Sequence, residues 1–134
     1  MIIDAQPRVR VARPSRDLVA AERFYVDGLG LDVLWRSTAR ARGEHDLLMV
    51  GLTDGTWHFE LTRDPERPVE PVPTVEDLFV VYLGAPVRED QVERLVAAGG
   101  TRVTAHNPYW EEYGVTVADP DGYRLVLCSR TWGH

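Results

Sequence analysis

Cysteine is all but missing. Cys128 stands alone in 134 residues, which excludes an internal disulfide and makes a reducing, cytoplasmic setting the expectation. Long apolar runs are missing too. Residues 1–10 carry Asp4, Arg8 and Arg10 and no hydrophobic stretch, so neither a membrane span nor a secretory leader is expected. Positive charge is in deficit: 15 basic against 21 acidic residues leave a net charge of −6, which disfavours nucleic acid or an anionic membrane surface as partner. There is no serine or cysteine nucleophile motif and no glycine-rich phosphate loop. What remains is an ordinary globular balance, 44% hydrophobic and 27% charged, in a chain long enough for one domain with a core of its own.

The pattern then gives elements in order. Residues 8–13 alternate charged with apolar and read as a strand, ended by Pro14, with Ser15 placed to cap a helix. Leu18, Ala21, Phe24 and Tyr25 recur at helical spacing, predicting a helix over 16–26 that Gly28-Leu29-Gly30 stops. Strands are predicted over 31–37, 45–52 and 57–62. Val33 and Trp35 are assigned to one face of the first of these, and Asp54-Gly55 is read as a tight hairpin turn between the other two. On the strand over 57–62, Trp57, Phe59 and Leu61 take one face, with Trp57 read as core, and His58, Glu60 and Thr62 take the other. Residues 63–77 hold Pro65, Pro68, Pro71 and Pro73 and read as an extended connector. A strand over 78–83 follows, then a helix opened by Pro86 with Val92, Leu95 and Val96 inward. Strands over 101–105, 114–118 and 123–128 follow, with 106–113 read as an aromatic, acidic loop. Asp119-Pro120-Asp121-Gly122 is the turn of the last hairpin.

Strand, helix and three strands thus occur twice. Gly30 and Gly100 are 70 apart, as are Val33 and Val103, and Asp54-Gly55 precedes Asp121-Gly122 by 67. The predicted class is α+β, with two tandem βαβββ modules forming curved mixed sheets around a cleft. Module one covers 8–62, the connector 63–77 and module two 78–130, within a single domain.

Three pieces of this sequence resemble the vicinal oxygen chelate superfamily, which groups glyoxalase I, bleomycin-resistance proteins and extradiol dioxygenases. They are Asp17-Leu18 followed by Phe24-Tyr25 and Gly28-Leu29-Gly30-Leu31, then Phe59-Glu60-Leu61, then Asp119-Pro120-Asp121-Gly122-Tyr123. Metal-using members hold a cation with one His or Glu on each of four strands. The resemblance carries these positions to Arg10, Glu60, Leu78 (or Val80) and Val126. Only Glu60 has a donor a cation accepts, since a guanidinium stays protonated and aliphatic side chains have no lone pairs. The resemblance therefore implies a metal-less branch with no cofactor. A bidentate Arg10–Glu60 pair is expected where relatives hold part of the metal site.

Other candidates come from the residues themselves. His58 shares the face of Glu60, so a relocated metal site from His58, Glu60 and a third group is conceivable, as is Glu60 as a general base. His45 opens a strand and is a candidate for the lining of the cleft. His106 precedes Pro108 in the loop and reads as solvated. Trp35, Tyr109, Trp110 and Tyr113 are expected to line the cleft, the last three from a loop covering one end. The expected function is metal-free binding of a small, aromatic or antibiotic-like molecule in an interface cleft of a homodimer, an antibiotic-resistance role of the bleomycin-resistance type. The rival is a lyase, isomerase or dioxygenase with a relocated metal or with Glu60 as base.

Overall fold

Two four-stranded sheets repeat one design. The structure, a computed structural model, describes residues 2–3 and 5–132; Met1 and Asp4, part of the segment read for a leader, lie outside the described residues. The order is β1 (Val9–Pro14), α1 (Leu18–Glu22) running into a π-helical turn (Arg23–Gly28), β2 (Asp32–Ser37), β3 (Asp46–Gly51), β4 (Trp57–Arg63), β5 (Leu78–Tyr82), α2 (Glu89–Ala97), β6 (Thr101–Val103), α3 (Pro108–Tyr113), β7 (Gly114–Ala118) and β8 (Arg124–Cys128). The sheets run β1-β4-β3-β2 and β5-β8-β7-β6. In each, the first strand lies parallel to the last and the other pairs are antiparallel. This is the α+β arrangement with a doubled βαβββ unit.

Strand alternation decides what each sheet buries. Leu48, Val50, Phe59 and Leu61 from the first sheet meet Val117, Leu125 and Leu127 from the second, with Phe24, Tyr25 and Leu95 of the helices packed among them in one core. Phe59 and Phe79 join the modules edge to face at 4.5 Å between ring centroids. Trp57 meets Phe79 the same way at 5.4 Å, half-buried against the core. Both modules pack on each other within one chain, and each sheet's other face looks away from the shared core.

The last hairpin is the clasp between the modules. Asp119 and Asp121 are both buried. The Tyr25 hydroxyl donates to Asp119 Oδ2 at 2.6 Å, and Asp119 Oδ1 accepts from the backbone N–H of Asp121 and of Tyr123. The Ser15 hydroxyl donates to Asp121 Oδ2 at 2.6 Å, and the Arg16 N–H to Asp121 Oδ1 at 2.9 Å. Gly122 closes the turn at φ +94°, a left-handed backbone that glycine takes without strain. Arg13 lies between the modules, its guanidinium carbon 4.5 Å from the Phe59 ring centroid and 4.5 Å from that of Tyr123.

Several local expectations change. Ser15 does not cap α1; Asp17 does, its Oδ1 accepting from the N–H of Val19 and of Ala20, while Ser15 serves the clasp. The first helix starts at Leu18, and its second half is π-wound, the Leu29 N–H donating to the Phe24 carbonyl five residues back; the Leu31 N–H, reaching the Tyr25 carbonyl six residues back, closes its end. The second helix starts at Glu89, after Pro86 and Val87. The Asp54-Gly55 turn is not a two-residue hairpin. The Gly55 N–H donates to the Leu52 carbonyl, and Gly55 has no positive φ, so Thr53 and Asp54 occupy the turn centre. A β-bulge between Val33 and Trp35 separates these two residues. Val33 pairs with buried Val50, and Trp35 pairs with Met49 on the opposite face, because the extra residue, Leu34, shifts the alternation by one. Residues 106–113 are not a loop throughout. Asn107 Oδ1 accepts from the Tyr109 N–H, Pro108 sits in the first turn, and α3 forms.

Candidate functional site

The outer face of the first sheet carries the polar residues singled out above. Parallel pairing sets Arg10 beside His58 and Ala12 beside Glu60. Antiparallel pairing sets Met49 beside Glu60 and Gly51 beside His58, and Trp35 beside Met49. Arg10 Nε donates to His58 Nε2 at 2.9 Å. A ring nitrogen that accepts carries no proton, so the His58 proton sits on Nδ1. Arg10 Nη1 lies 3.7 Å from Glu60 Oε1. The expected bidentate pair is therefore a single ion-pair contact, with His58 holding the guanidinium by the shorter bond. The Glu60 side chain is only 19% exposed, and among the described residues no group donates a hydrogen bond to its carboxylate.

Gly51 makes room for this cluster. A Cβ there would lie 2.9 Å from His58 Cβ and 3.1 Å from the Trp57 carbonyl oxygen. The sequence signal for Gly51 is a glycine inside a strand, which marks a close approach.

The remaining candidates lie elsewhere. Trp35 is 59% exposed on the same outer face, and no ring contact joins it to Tyr109, Trp110 or Tyr113. Those three belong to α3, which packs on β7 and β8 of the second sheet. Tyr109 meets Trp110 and Tyr113 at 4.9 Å each, Trp110 meets Tyr82 at 6.4 Å, and Arg130 stacks on Tyr113 at 4.6 Å. The four rings expected to line one cleft thus fall in two places. His45 Nε2 lies 3.7 Å from Asp64 Oδ2 at the far end of the first sheet. His106 is exposed beside α3 and lines a cavity of about 160 Å³ with Glu76, Trp110, Thr116 and Arg124. Thr116 is buried there, and its Oγ1 has no hydrogen-bond partner among the described residues. Cys128 is fully buried on β8.

A divalent ion does not fit the position the fold would give it. Val80 pairs with Val126 across β5 and β8, and Leu78 with Arg124. These aliphatic groups offer no donor atoms, and Arg10 brings a fixed positive charge. The relocated alternative finds no third ligand: among the described residues no three His, Cys, Asp or Glu side chains converge on a point. No helix of the described residues is long and apolar enough to cross a membrane.

Comparison with known proteins fits this geometry. The fold is that of the vicinal oxygen chelate superfamily. The structure superposes with a TM-score of 0.69 on glyoxalase I of Leishmania major, a trypanothione-dependent enzyme, at 18% identity over 90% of this chain and 84% of that one. With TnmS3, an antibiotic-binding protein from a Streptomyces species, the TM-score is 0.64 at 20% identity, over 98% of this chain and 99% of that one. Models of the YycE-like N-terminal and C-terminal domains match residues 9–62 and 76–129. YycE of Bacillus subtilis, an uncharacterized protein, is 34% identical over 123 residues, 91% of this chain and 87% of that protein. Its crystal structure superposes with a TM-score of 0.81 at 32% identity, over 96% of this chain and 93% of that one. The chain belongs to the YycE-like family.

Proposed function

We propose that this protein is a metal-independent small-molecule binder of the bleomycin-resistance kind, acting as a homodimer. The reading rests on one observation: the Arg10 guanidinium stands between His58 and Glu60, on an uncovered sheet face, where metal-using relatives of this fold place ligands. A fixed cation, a carboxylate and a ring nitrogen offer donors and acceptors to a polar head. Trp35 and Met49 on the same face offer flat and adaptable apolar surface. In a homodimer, a second copy brings its α3, with Tyr109, Trp110 and Tyr113, over this face and closes the cleft. That arrangement supplies in trans the rings that one chain keeps apart. The antibiotic-binding relative TnmS3 supports this class of ligand.

The test is a titration with bleomycin and with fosfomycin, read by tryptophan fluorescence, beside sedimentation to count chains. The expected result is a dimer and saturable quenching by at least one compound. Arg10→Ala should weaken binding about tenfold, the scale of a lost charge-assisted contact, and Trp110→Ala should remove the quenching. A monomer, or no response from either compound and a wider panel, overturns the reading.

The part-buried Glu60 carboxylate, which accepts no hydrogen bond among the described residues, favours one second reading, a metal-independent lyase or isomerase with Glu60 as general base. Turnover of the methylglyoxal–glutathione adduct, abolished by Glu60→Gln with binding retained, would establish it.

A further inference from the structure

On the inner, helix side of the sheets, at the seam between the modules, lies a cavity of about 290 Å³. Its floor is apolar: Leu31, Trp57 at the head of β4, Phe79 and Val81 of β5, and Leu127 of β8. Trp57, Phe79, Val81 and Leu83 are only half-buried, and Leu52 at the edge is 50% exposed. So much apolar surface left part-wet in a concavity is unusual, since water is displaced from it at a gain.

The rim has the opposite character. Arg88 at the N-cap of α2, Gln91 in its first turn and Arg94 in its last turn stand around the hollow. Arg94 Nε donates to the Asp27 carbonyl at 2.6 Å, which fixes the side chain across the seam. Its Nη nitrogens donate to no group among the described residues. Arg88 pairs through Nε with Asp90 at 3.0 Å, and its Nη nitrogens likewise donate to no group among the described residues. Two guanidinium groups thus crown an apolar pit in a protein whose net charge is −6.

We propose that this inter-module cavity is a second binding site, for a small amphipathic carboxylate such as a medium-chain fatty acid. The hydrocarbon body lies against Trp57 and Phe79, and the carboxylate meets Arg88 and Arg94. Guanidinium groups match a carboxylate in geometry as well as charge. The volume sits at the lower end of small-molecule sites, which suits a short tail and excludes a bulky antibiotic. The site is independent of the outer-face reading: Trp57 and Phe59 point to the inner side of β4, while Glu60 points to the other.

The experiment is calorimetric titration of the full chain with decanoate and with decanol. Decanoate is expected to bind at about one site per chain. Replacing Arg88 and Arg94 together by Gln should weaken decanoate about tenfold and leave decanol unchanged. Val81→Trp, which fills the pit, should abolish both. Leu83→Trp, just past the end of β5, provides the same block should the strand not accept the ring. Glu60→Gln and Trp110→Ala should leave decanoate binding intact, which separates this site from the outer face. No decanoate binding overturns the proposal, as does binding that survives a folded blocking variant or that depends on Glu60.

Discussion

The Tyr25 hydroxyl and the Asp119 carboxylate, one in each module, share a buried hydrogen bond of 2.6 Å. Tyr25 is 1% exposed and Asp119 7%, so neither can turn to water instead. Hydrogen bonds to charged groups are worth about 1.5–3 kcal/mol, and an orphaned buried acceptor costs on the same scale. Tyr25→Phe should therefore lower stability by about 2 kcal/mol, read as a shift in the urea midpoint at constant slope. A midpoint within error of the wild type would show that the clasp does not hold the modules together.

The same pair sets a pH dependence. Burial, and then the charge of Asp119, push the Tyr25 hydroxyl well above its ordinary 10.0. A raised folded value means that Tyr25 supports the fold fully below pH 10 and loses that support as pH rises beyond it. Burial also raises Asp119 above 3.8, against the hydrogen bonds from Tyr25 and the turn. Its contribution is complete below 3.8 and declines as pH rises through the raised value. The wild type should thus lose stability above pH 10 by a component that Tyr25→Phe lacks. Asp119→Asn should flatten the slope on the acid side. Chemical unfolding from pH 3 to 11 reads both, and parallel curves for all three proteins would refute the assignment.

How far the sequence disclosed these features depends on whether the signal was local. Strands β4, β7 and β8 were legible because alternation and turn residues are written in neighbouring positions. The doubling was legible because the glycines and the hairpin dipeptides repeat at nearly fixed spacing. Trp35 was misassigned in face because a bulge has no mark in the pattern: Leu34 looks like any strand residue until its partner strand is known. The role of Asp119 and Asp121 was hidden for a related reason. Their partners Tyr25, Ser15 and Arg16 lie about a hundred residues away, and only packing brings them together. Arg10 beside Glu60 was reachable through resemblance alone, whereas the Arg10–His58 bond depended on the parallel register of β1 and β4.

Helix α3 carries its start signal locally. Asn107 followed by Pro108 is a cap with proline in the first turn, and the cap forms at 3.0 Å. Asn107→Ala should cost about 1 kcal/mol. Since α3 packs on β7 and β8, loosening it should also expose fully buried Cys128. The Cys128 thiol should then react several-fold faster with a disulfide reagent, while Asn107→Asp, which keeps the cap, should react as the wild type does. Equal rates for the alanine variant and the wild type would detach α3 from the protection of that strand.

Gly51 decides whether the outer-face cluster is built or incidental. A methyl group there meets His58 Cβ at 2.9 Å and the Trp57 carbonyl at 3.1 Å. The carbonyl belongs to β4 and cannot move without breaking the ladder, so His58 must yield and Arg10 must lose its acceptor. Overpacking of this kind costs about 1–3 kcal/mol, and Gly51→Ala should show it as a lower melting temperature. If the cluster binds a ligand, the same variant should weaken bleomycin or fosfomycin about as much as Arg10→Ala does, because both changes remove the Arg10–His58 bond. Joining them in one protein should then add little further loss, since coupled sites are not additive. Fully additive losses would mean that Arg10 acts without His58, and the site would have to be redrawn around Glu60 alone.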